Sequence, residues 1–157
     1  PAEPELLNLS EWLRNYVREF SASSAPTQTI HLEVDEPSLH SRMDPAQLHQ
    51  VLTNLVQNGL RYSQQHKPEA QLWIKLHIDQ ESELPVLEVH DDGPGVSPKR
   101  LDNIFEPFYT TETKGTGLGL YISRELCESN QARLDYTPSS HGGSCFRITF
   151  AHPRKLS

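Results

Sequence analysis

The amino-acid sequence predicts an α+β fold, a two-layer α/β sandwich in which helices cover one face of a mixed, mostly antiparallel sheet. Three observations predict this class. Segments with helical spacing of apolar residues interleave with segments that alternate apolar and polar residues. Two of the alternating segments are separated by a short turn, as in a hairpin. At 157 residues, without internal repeats, the chain fits one domain with a normal core.

The amino-terminal residues predict a linker followed by one short helix. Residues 1–4 are linker-like, and Ser10 is a candidate N-cap of the helix. Apolar residues recur there at helical spacing: Leu6, Leu9, Leu13, Val17 and Phe20. We assign residues 1–28 to this linker and amino-terminal helix, and residues 29–157 to the main domain.

A longer helix is predicted over residues 45–62, after two short strands near residues 30–34 and 39–43. Asp44 as N-cap and Pro45 at the first helical position form a capping signature. One side of this helix is apolar: Leu48, Val51, Leu52, Leu55, Val56 and Tyr62. Another side is polar: Gln50, Asn54, Asn58 and Arg61. We expect the first side to pack and the second to bind.

A hairpin is predicted from residues 72–78 and 86–90, where apolar and polar residues alternate. Leu87 and Val89 share one face of the second strand, and the period of two places Asp91 on that same covered side. The strand then ends in a glycine turn. A carboxylate is therefore expected to point inward at the end of a strand.

The carboxy-terminal part predicts one helix and two closing strands, after a short helical turn near residues 98–103. The helix is expected over residues 117–129, with four apolar residues on one face: Leu118, Tyr121, Ile122 and Leu126. The strands follow at residues 132–136 and 144–150. The last strand turns three side chains inward: Phe146, Ile148 and Phe150.

The overall charge argues against nucleic acid as a partner. Fourteen basic and twenty-one acidic residues give a net charge of −7, and the basic residues are scattered. No apolar run approaches the ~20 residues needed to span a bilayer, and the chain opens without a Met. We therefore expect a fragment of a larger protein that does not itself span a membrane.

The cysteines and histidines show no metal-binding spacing. Cys127 and Cys145 are far apart and lack a CxxC pattern, so buried, reduced thiols are expected. His31, His77 and His90 fall on strand faces, and none has a zinc-like spacing to the cysteines. We expect these histidines to be solvated or hydrogen-bonded.

The polar face of the long helix suits a hydrated magnesium ion bound to phosphates. Mg²⁺ prefers oxygen ligands and keeps several waters, so a protein need supply only one or two side-chain oxygens. Asn58 is the candidate metal ligand, and Asn54, one turn earlier, can bond the hydrated ion or the phosphates. Arg61 can neutralise phosphate charge, so these three residues are the catalytic candidates; Tyr62 and Gln50 are weaker ones. The alternative is a solvated polar helix face.

A second polar element suits adenine. A buried aspartate is costly unless paired, and the exocyclic amino group of adenine is a donor for Asp91, where guanine presents an oxygen. Gly93 and Gly95 let the backbone approach the base closely. The alternative is a turn aspartate that bonds its own backbone, which fits Asp92 better because Asp92 directly precedes Gly93. We therefore expect ATP to be preferred over GTP.

A third element is a glycine run whose backbone amides suit phosphate oxygens, with the positive dipole end of the next helix at the same point. It is neither a Walker loop, which needs GK[ST], nor a Rossmann loop, which follows a buried strand. The threonines and the lysine before it form a candidate lid, for which a disordered surface loop is the alternative. The candidate nucleotide contacts here are Thr110, Thr111, Lys114, Gly115, Thr116, Gly117, Leu118, Gly119 and Leu120.

The motifs together resemble the catalytic, ATP-binding domain of bacterial sensor histidine kinases, in the wider group of gyrase, heat-shock chaperone and mismatch-repair ATPases. Residues 54–62 resemble the N box, 91–95 the first glycine box, 105–108 the F box and 115–120 the second glycine box. Gly142-Gly143-Ser144 resembles the late glycine element, which adds Ser144 to the candidate nucleotide contacts. The resemblance covers residues 29–151 and implies a Bergerat-type fold with ATP and Mg²⁺ as cofactors.

The resemblance also implies partners. Members of the family transfer the γ-phosphate of ATP to a histidine on a phosphoacceptor and dimerisation domain, which then supplies an aspartate of a response regulator. No histidine here is followed by the acidic residue and proline of that acceptor, so the acceptor domain is missing. The resemblance further implies that the full-length protein is a homodimer. It also implies that this chain is a cytoplasmic domain of an inner-membrane sensor.

The short lid is similar to the nitrogen-regulation class of these kinases. Residues 91–150 are similar to the kinases that control type IV pili, which implies a sigma-54-activating regulator and control of pilus transcription. Two other functions stay open on the sequence alone. One is an interaction module that senses ATP without transferring phosphate, and the other is a hydrolytic ATPase of the chaperone or topoisomerase kind.

Overall fold

The computed structural model describes residues 1–65, 67–109 and 118–153. Within these residues the chain forms three helices: α1 Leu9–Ser23, α2 Pro45–Ser63 and α3 Gly119–Ser129. It also forms seven strands: β1 Glu5–Asn8, β2 Gln28–Val34, β3 His40–Met43, β4 Ala70–Ile78, β5 Pro85–Asp91, β6 Arg133–Pro138 and β7 Ser144–Thr149.

Five of the strands form one mixed sheet in the order β2-β4-β5-β7-β6. β2 and β4 run parallel, whereas the other neighbours in this sheet are antiparallel. β1 and β3 pair separately as a two-stranded antiparallel sheet. The three helices pack on one face of the large sheet. The predicted α+β sandwich is therefore confirmed.

The alternation of side chains along β4 divides the two faces of the sheet. Leu72, Ile74 and Leu76 are buried beneath the helices, whereas Trp73 and Lys75 between them are partly exposed. The predicted inward residues of the last strand are likewise buried: Phe146, Ile148 and Phe150. The hydrophobic effect thus sets the strand register, because a shift by one residue would move the apolar set to the other face.

α2 follows its sequence prediction closely. The Asp44 side chain accepts hydrogen bonds from the backbone N–H groups of Ala46 and Gln47, at 2.9 and 3.2 Å. Pro45 occupies the first turn, where its missing N–H is not needed. The helix runs one residue beyond the predicted end, and the predicted apolar side is buried at Leu48, Val51, Leu52, Leu55 and Val56.

The prediction for the first residues was wrong in two respects. Leu6 lies in β1, opposite Arg42, and not in the helix. The N-cap of α1 is Asn8, whose side chain accepts from the Glu11 N–H at 3.1 Å, and not Ser10. The Ser10 hydroxyl donates to the Glu36 carbonyl at 2.7 Å. Asn8 caps as well as serine does, and the pairing of β1 is not visible in a local pattern.

Two predictions in the second half also need correction. Residues 98–103 form successive turns, with Arg100 N–H donating to the Ser97 carbonyl, instead of a helical turn. The buried residues of α3 are Ser123 and Cys127, whereas the four residues of the predicted apolar face are only half-buried. Small side chains at these two positions let α3 approach α2 closely.

Among the described residues, no helix has both the length and the apolar character that crossing a bilayer requires.

Candidate functional site

The candidate site lies at the carboxyl end of β5, between α2 and the turn that precedes β7. It contains Asp91, the last residue of β5, and the second half of α2. The sheet register brings the start of β7 beside the end of β5, because His90 pairs with Cys145. Polar residues that are distant in sequence thus meet at one end of these two interior strands.

Asp91 is buried, with 2% of its surface exposed, and points to the helix-covered side as the strand period predicts. Its Oδ1 accepts hydrogen bonds from the backbone N–H groups of Gly93, at 2.9 Å, and Ser144, at 3.2 Å. Among the described residues both bonds to the carboxylate end on Oδ1, so Oδ2 can accept a donor from a ligand. Burial raises the pKa of Asp91, against the smaller opposing effect of the two amides.

Two glycines make room for this arrangement. A Cβ atom on Gly143 would overlap the Asp91 carboxylate. A Cβ atom on Gly93 would lie 2.6 Å from the carbonyl oxygen of Tyr62. Gly95 adopts a positive φ of 76°, which side-chain-bearing residues rarely adopt. The backbone therefore requires glycine at positions 93 and 95, and Gly143, part of the late glycine element, leaves room for the Asp91 carboxylate.

The two neighbouring aspartates have different partners. Asp91 accepts from the N–H of the turn residue Gly93. The Asp92 carboxylate bonds its own backbone N–H, as expected of a turn aspartate. Asp92 also pairs with Lys67 Nζ and accepts from the Ser63 hydroxyl, both at 2.5 Å. Burial acts to raise the pKa of Asp92, but these two partners lower it. Asp92 therefore fastens the end of α2 to the end of β5.

The asparagine face of α2 turns toward the start of α3. Asn54 Nδ2 donates to the Ser123 hydroxyl at 3.2 Å and lies 3.5 Å from the Gly119 carbonyl. Asn58 is 8% exposed, and its Oδ1 accepts from Arg61 Nη2 at 3.1 Å. Its Nδ2 is buried without a hydrogen-bond partner among the described residues. Because a buried donor is costly when unpaired, this amide calls for an acceptor such as a phosphate oxygen.

The other predicted contacts divide into two groups. Arg61 is exposed and Tyr62 is half-buried, both at the end of α2. Ser144 is buried and reaches the site through its backbone N–H to Asp91, while its hydroxyl lies 3.5 Å from the Tyr136 hydroxyl. The remaining lid and glycine-run candidates lie outside the described residues: Thr110, Thr111, Lys114, Gly115, Thr116 and Gly117.

Leu118, Gly119 and Leu120 lie at the start of α3, and the Gly119 carbonyl lies beside Asn54. The first N–H groups of a helix have no carbonyl partner within the helix and carry its positive dipole end. Sequence reasoning missed Ser123, which holds Asn54, because a serine in the middle of a helix carries no distinctive pattern.

Comparison with known proteins was consistent with this geometry. Residues 43–154 match the family described as histidine kinase-, DNA gyrase B-, and HSP90-like ATPase. The chain is 61% identical over 156 residues to the sensor protein kinase PilS of Pseudomonas aeruginosa, covering 99% of this chain but 29% of that protein. It is 38% identical over 105 residues to the sensor protein TorS of Escherichia coli, covering 66% of this chain and 11% of that protein.

Solved structures show the same fold. The nucleotide-free catalytic domain of the histidine kinase ThkA superposes with a TM-score of 0.80 at 27% identity, covering 94% of this chain and 95% of that one. The mycobacterial sensor histidine kinase MprB gives a TM-score of 0.73 at 22% identity, covering 94% of this chain and 97% of that one. At this identity the likeness shows the fold alone.

Proposed function

Because the chain belongs to the histidine kinase-, DNA gyrase B- and HSP90-like ATPase family, as a sensor histidine kinase ATP-binding domain, we propose that it binds Mg-ATP and presents the γ-phosphate to a histidine on a separate domain. One observation carries the proposal. The Asp91 carboxylate is buried at the end of β5, held through Oδ1 by two backbone amides, and retains Oδ2 as an acceptor.

Asp91 would select the base. A buried carboxylate that accepts from only one side leaves an acceptor for the amino group of adenine, and it repels the oxygen that guanine presents there. The amides of Gly93 and Ser144 hold the carboxylate in place before the nucleotide arrives. Gly93 and Gly95 keep the turn free of side chains at the base, so the backbone itself can lie against it.

The asparagine face of α2 would hold the phosphates and the ion. When bound, Mg²⁺ neutralises phosphate charge. The donor set fits a hard cation: Asn58 Oδ1 accepts one hydrogen bond from Arg61, which leaves its second lone pair for the ion. The buried Nδ2 of Asn58 is then available to a phosphate oxygen, which would remove its unpaired state. Arg61 beside it adds positive charge for the phosphates.

Asn54 and the start of α3 would complete the phosphate site. Ser123 and Gly119 orient Asn54 through its amide donors, and we assign its amide oxygen to the hydrated ion. The amino end of α3 offers the N–H groups of Gly119 and Leu120 to the phosphates. We propose the same for residues 115–118, with Thr110, Thr111 and Lys114 as a lid over the nucleotide.

The reaction places few chemical demands on this chain. Phosphoryl transfer depends mainly on positioning and on stabilising charge, which the residues above supply, while the nucleophilic histidine comes from elsewhere. We propose that residues 1–28 follow a phosphoacceptor and dimerisation domain of a homodimeric protein, the chain being 29% of the length of its PilS relative. The regulator would be of the sigma-54-activating kind and the protein an inner-membrane sensor of type IV pilus transcription, with this domain in the cytoplasm.

Supplying an acceptor in trans tests the proposal. The chain is incubated with γ-labelled ATP, Mg²⁺ and the phosphoacceptor domain of the PilS relative, with the same domain lacking its histidine as control. The proposal predicts acid-labile, base-stable label on the intact acceptor alone. ATP binding without transfer would instead support a sensing module. Steady phosphate release without any acceptor would support a hydrolytic ATPase.

A further inference from the structure

The outer face of the sheet, opposite the helices, carries a second group of polar residues. Because side chains alternate along a strand, His90 points to the outer face while its neighbour Asp91 points inward. Glu88 shares this outer face, two residues earlier on β5, and Cys145 lies directly opposite His90 on β7. Nothing in the nucleotide site uses these three side chains.

The three potential ligand atoms lie close together. His90 Nε2 is 3.1 Å from Glu88 Oε1 and 3.4 Å from Cys145 Sγ, and all three atoms lie within 4.8 Å of one another. In a tetrahedral zinc site, bonds of about 2.0–2.1 Å to nitrogen and oxygen and about 2.3 Å to sulfur separate the ligand atoms by roughly 3.4–3.6 Å. The cluster therefore has nearly the spacing that the ion requires.

Burial and ligand type agree with this spacing. His90 is 6% exposed and Cys145 is 0% exposed, so both are shielded from bulk water. Glu88 is half-buried, and its Oε2 lies 3.9 Å from Arg147 Nε, so Oε1 is the oxygen on the side of His90. Thiolate, imidazole and carboxylate together suit Zn²⁺, whereas Mg²⁺ and Ca²⁺ prefer oxygen alone.

The surroundings of His90 also fit a metal ligand. Its other ring nitrogen, Nδ1, lies 2.7 Å from the Ser139 hydroxyl, the kind of outer contact that fixes the ring and leaves Nε2 to a metal. His141 covers the group, stacked on Trp73 at 4.0 Å between ring centres and edge-on to His90 at 5.5 Å. His141 Nε2 is buried with no hydrogen-bond partner among the described residues, an unpaired polar atom beside the cluster.

We propose that Glu88, His90 and Cys145 form a Zn²⁺ site, with water as the fourth ligand under the cover of His141. The two cysteines and the histidines have no zinc-like spacing along the sequence, so the site arises only from the pairing of β5 with β7. The ion would join the two strands directly behind the residues that hold Asp91, since His90 precedes Asp91 and Cys145 follows Ser144.

Cobalt titration of the metal-free chain tests this site without nucleotide. With a phosphine reductant present, Co²⁺ is expected to bind at one equivalent, with the visible bands of tetrahedral cobalt and a near-ultraviolet thiolate charge-transfer band. Zn²⁺ should abolish both. A folded chain that shows no thiolate band, or that binds Zn²⁺ no better than Mg²⁺, would overturn the proposal.

Matched variants locate the ligands. Cys145→Ala is expected to lose the charge-transfer band, whereas Cys127→Ala, which truncates the other fully buried cysteine, keeps it. Since Cys145→Ala can fail to fold, Glu88→Gln is the second variant, because this side chain is only half-buried. It should weaken Zn²⁺ binding at least about tenfold while the thiolate band remains at saturation. A band retained in Cys145→Ala, or unchanged affinity in Glu88→Gln, would contradict the assignment.

Discussion

At the scale of single residues, Asp91 is a buried carboxylate whose ionised form is disfavoured by its surroundings. Its burial raises its pKa, so the folded protein holds this proton more tightly than the unfolded chain does. The free energy of unfolding therefore falls as the pH rises from the pKa of the unfolded chain through the raised pKa of the folded protein. Above the raised pKa the loss is complete. A buried carboxylate that reduces stability and keeps one oxygen available as an acceptor is typical of a ligand site.

Replacing Asp91 with asparagine tests its assignment to the base. Asp91→Asn is expected to weaken ATP binding about 10–100-fold, the value of one hydrogen bond to a charged group, and to reduce the preference over GTP. Stability at neutral pH should not fall, because the buried charge is removed. Calorimetry and urea unfolding measure the two effects. Asp92→Asn, which breaks the contact with Lys67, is the matched control and should keep the selectivity. Retained selectivity in Asp91→Asn would place the base elsewhere.

Asn58 is the residue proposed to contact both the magnesium ion and the phosphates. Asn58→Ala removes both the proposed metal oxygen and the unpaired amide donor. The gain in ATP affinity on adding magnesium is therefore expected to fall about 10–100-fold. Gln57→Ala, at an exposed position of the same helix, should leave this gain unchanged. Titration of each variant with ATP, with and without Mg²⁺, gives the comparison, and an unaltered magnesium effect in Asn58→Ala would remove this residue from the metal site.

Both cysteines are free and buried, as the sequence predicts. Burial raises the pKa of Cys127 and of Cys145 to about 12, so both thiols stay protonated at neutral pH. In the metal-free folded chain at pH 8, iodoacetamide is therefore expected to label neither cysteine at the rate of a free thiol, while both react fully in urea. Mass spectrometry of the labelled chain measures this, and rapid labelling of one thiol in the folded chain would show that it is exposed.

At the scale of helices and strands, Asn130 joins two elements that the sequence does not connect. It lies just after α3, is 4% exposed, and its Oδ1 accepts from the Asp44 N–H at 2.9 Å. Its Nδ2 donates to Gln47 and to the Leu126 carbonyl, each at 2.8 Å. The end of α3 is thereby fixed to the start of α2, which sets the spacing between the asparagine face and the amino end of α3.

Asn130→Ala is accordingly expected to destabilise the fold by about 1–3 kcal/mol, because it leaves buried donors and acceptors unpaired. Asn15→Ala, at an exposed position of α1, is the control and should stay within ~0.5 kcal/mol of the parent chain. Urea unfolding followed by circular dichroism measures both. Equal stability of the two variants would show that Asn130 does not couple the helices.

Elements with local signals were predictable, and elements that depend on distant partners were not. α2 carries its own capping residues, and Asp91 follows from the strand period within β5. β1 forms only because it pairs with β3, far along the chain, so residues 5–8 show no signal of their own. In the same way the contact from Gly93 to Asp91 is local, whereas that from Ser144 spans 53 residues.

At the scale of the whole molecule, the five-stranded sheet lies between two groups of polar residues. The inner face and the helices carry the proposed nucleotide site at Asp91 and Asn58, and the outer face carries the proposed zinc cluster at His90. β5 contributes to both, because neighbouring residues on a strand face opposite ways. This strand is buried on both faces for most of its length, which holds the two groups in a fixed relation.

Calorimetric titration of this chain with ATP and GTP, each with and without Mg²⁺, tests the central claim most directly. Binding is expected to be stronger for ATP than for GTP, and magnesium is expected to enhance it. A folded sample that binds neither nucleotide at millimolar concentration, or that binds both equally, would contradict the assignment of an adenine-selective Mg-ATP site at the carboxyl end of β5.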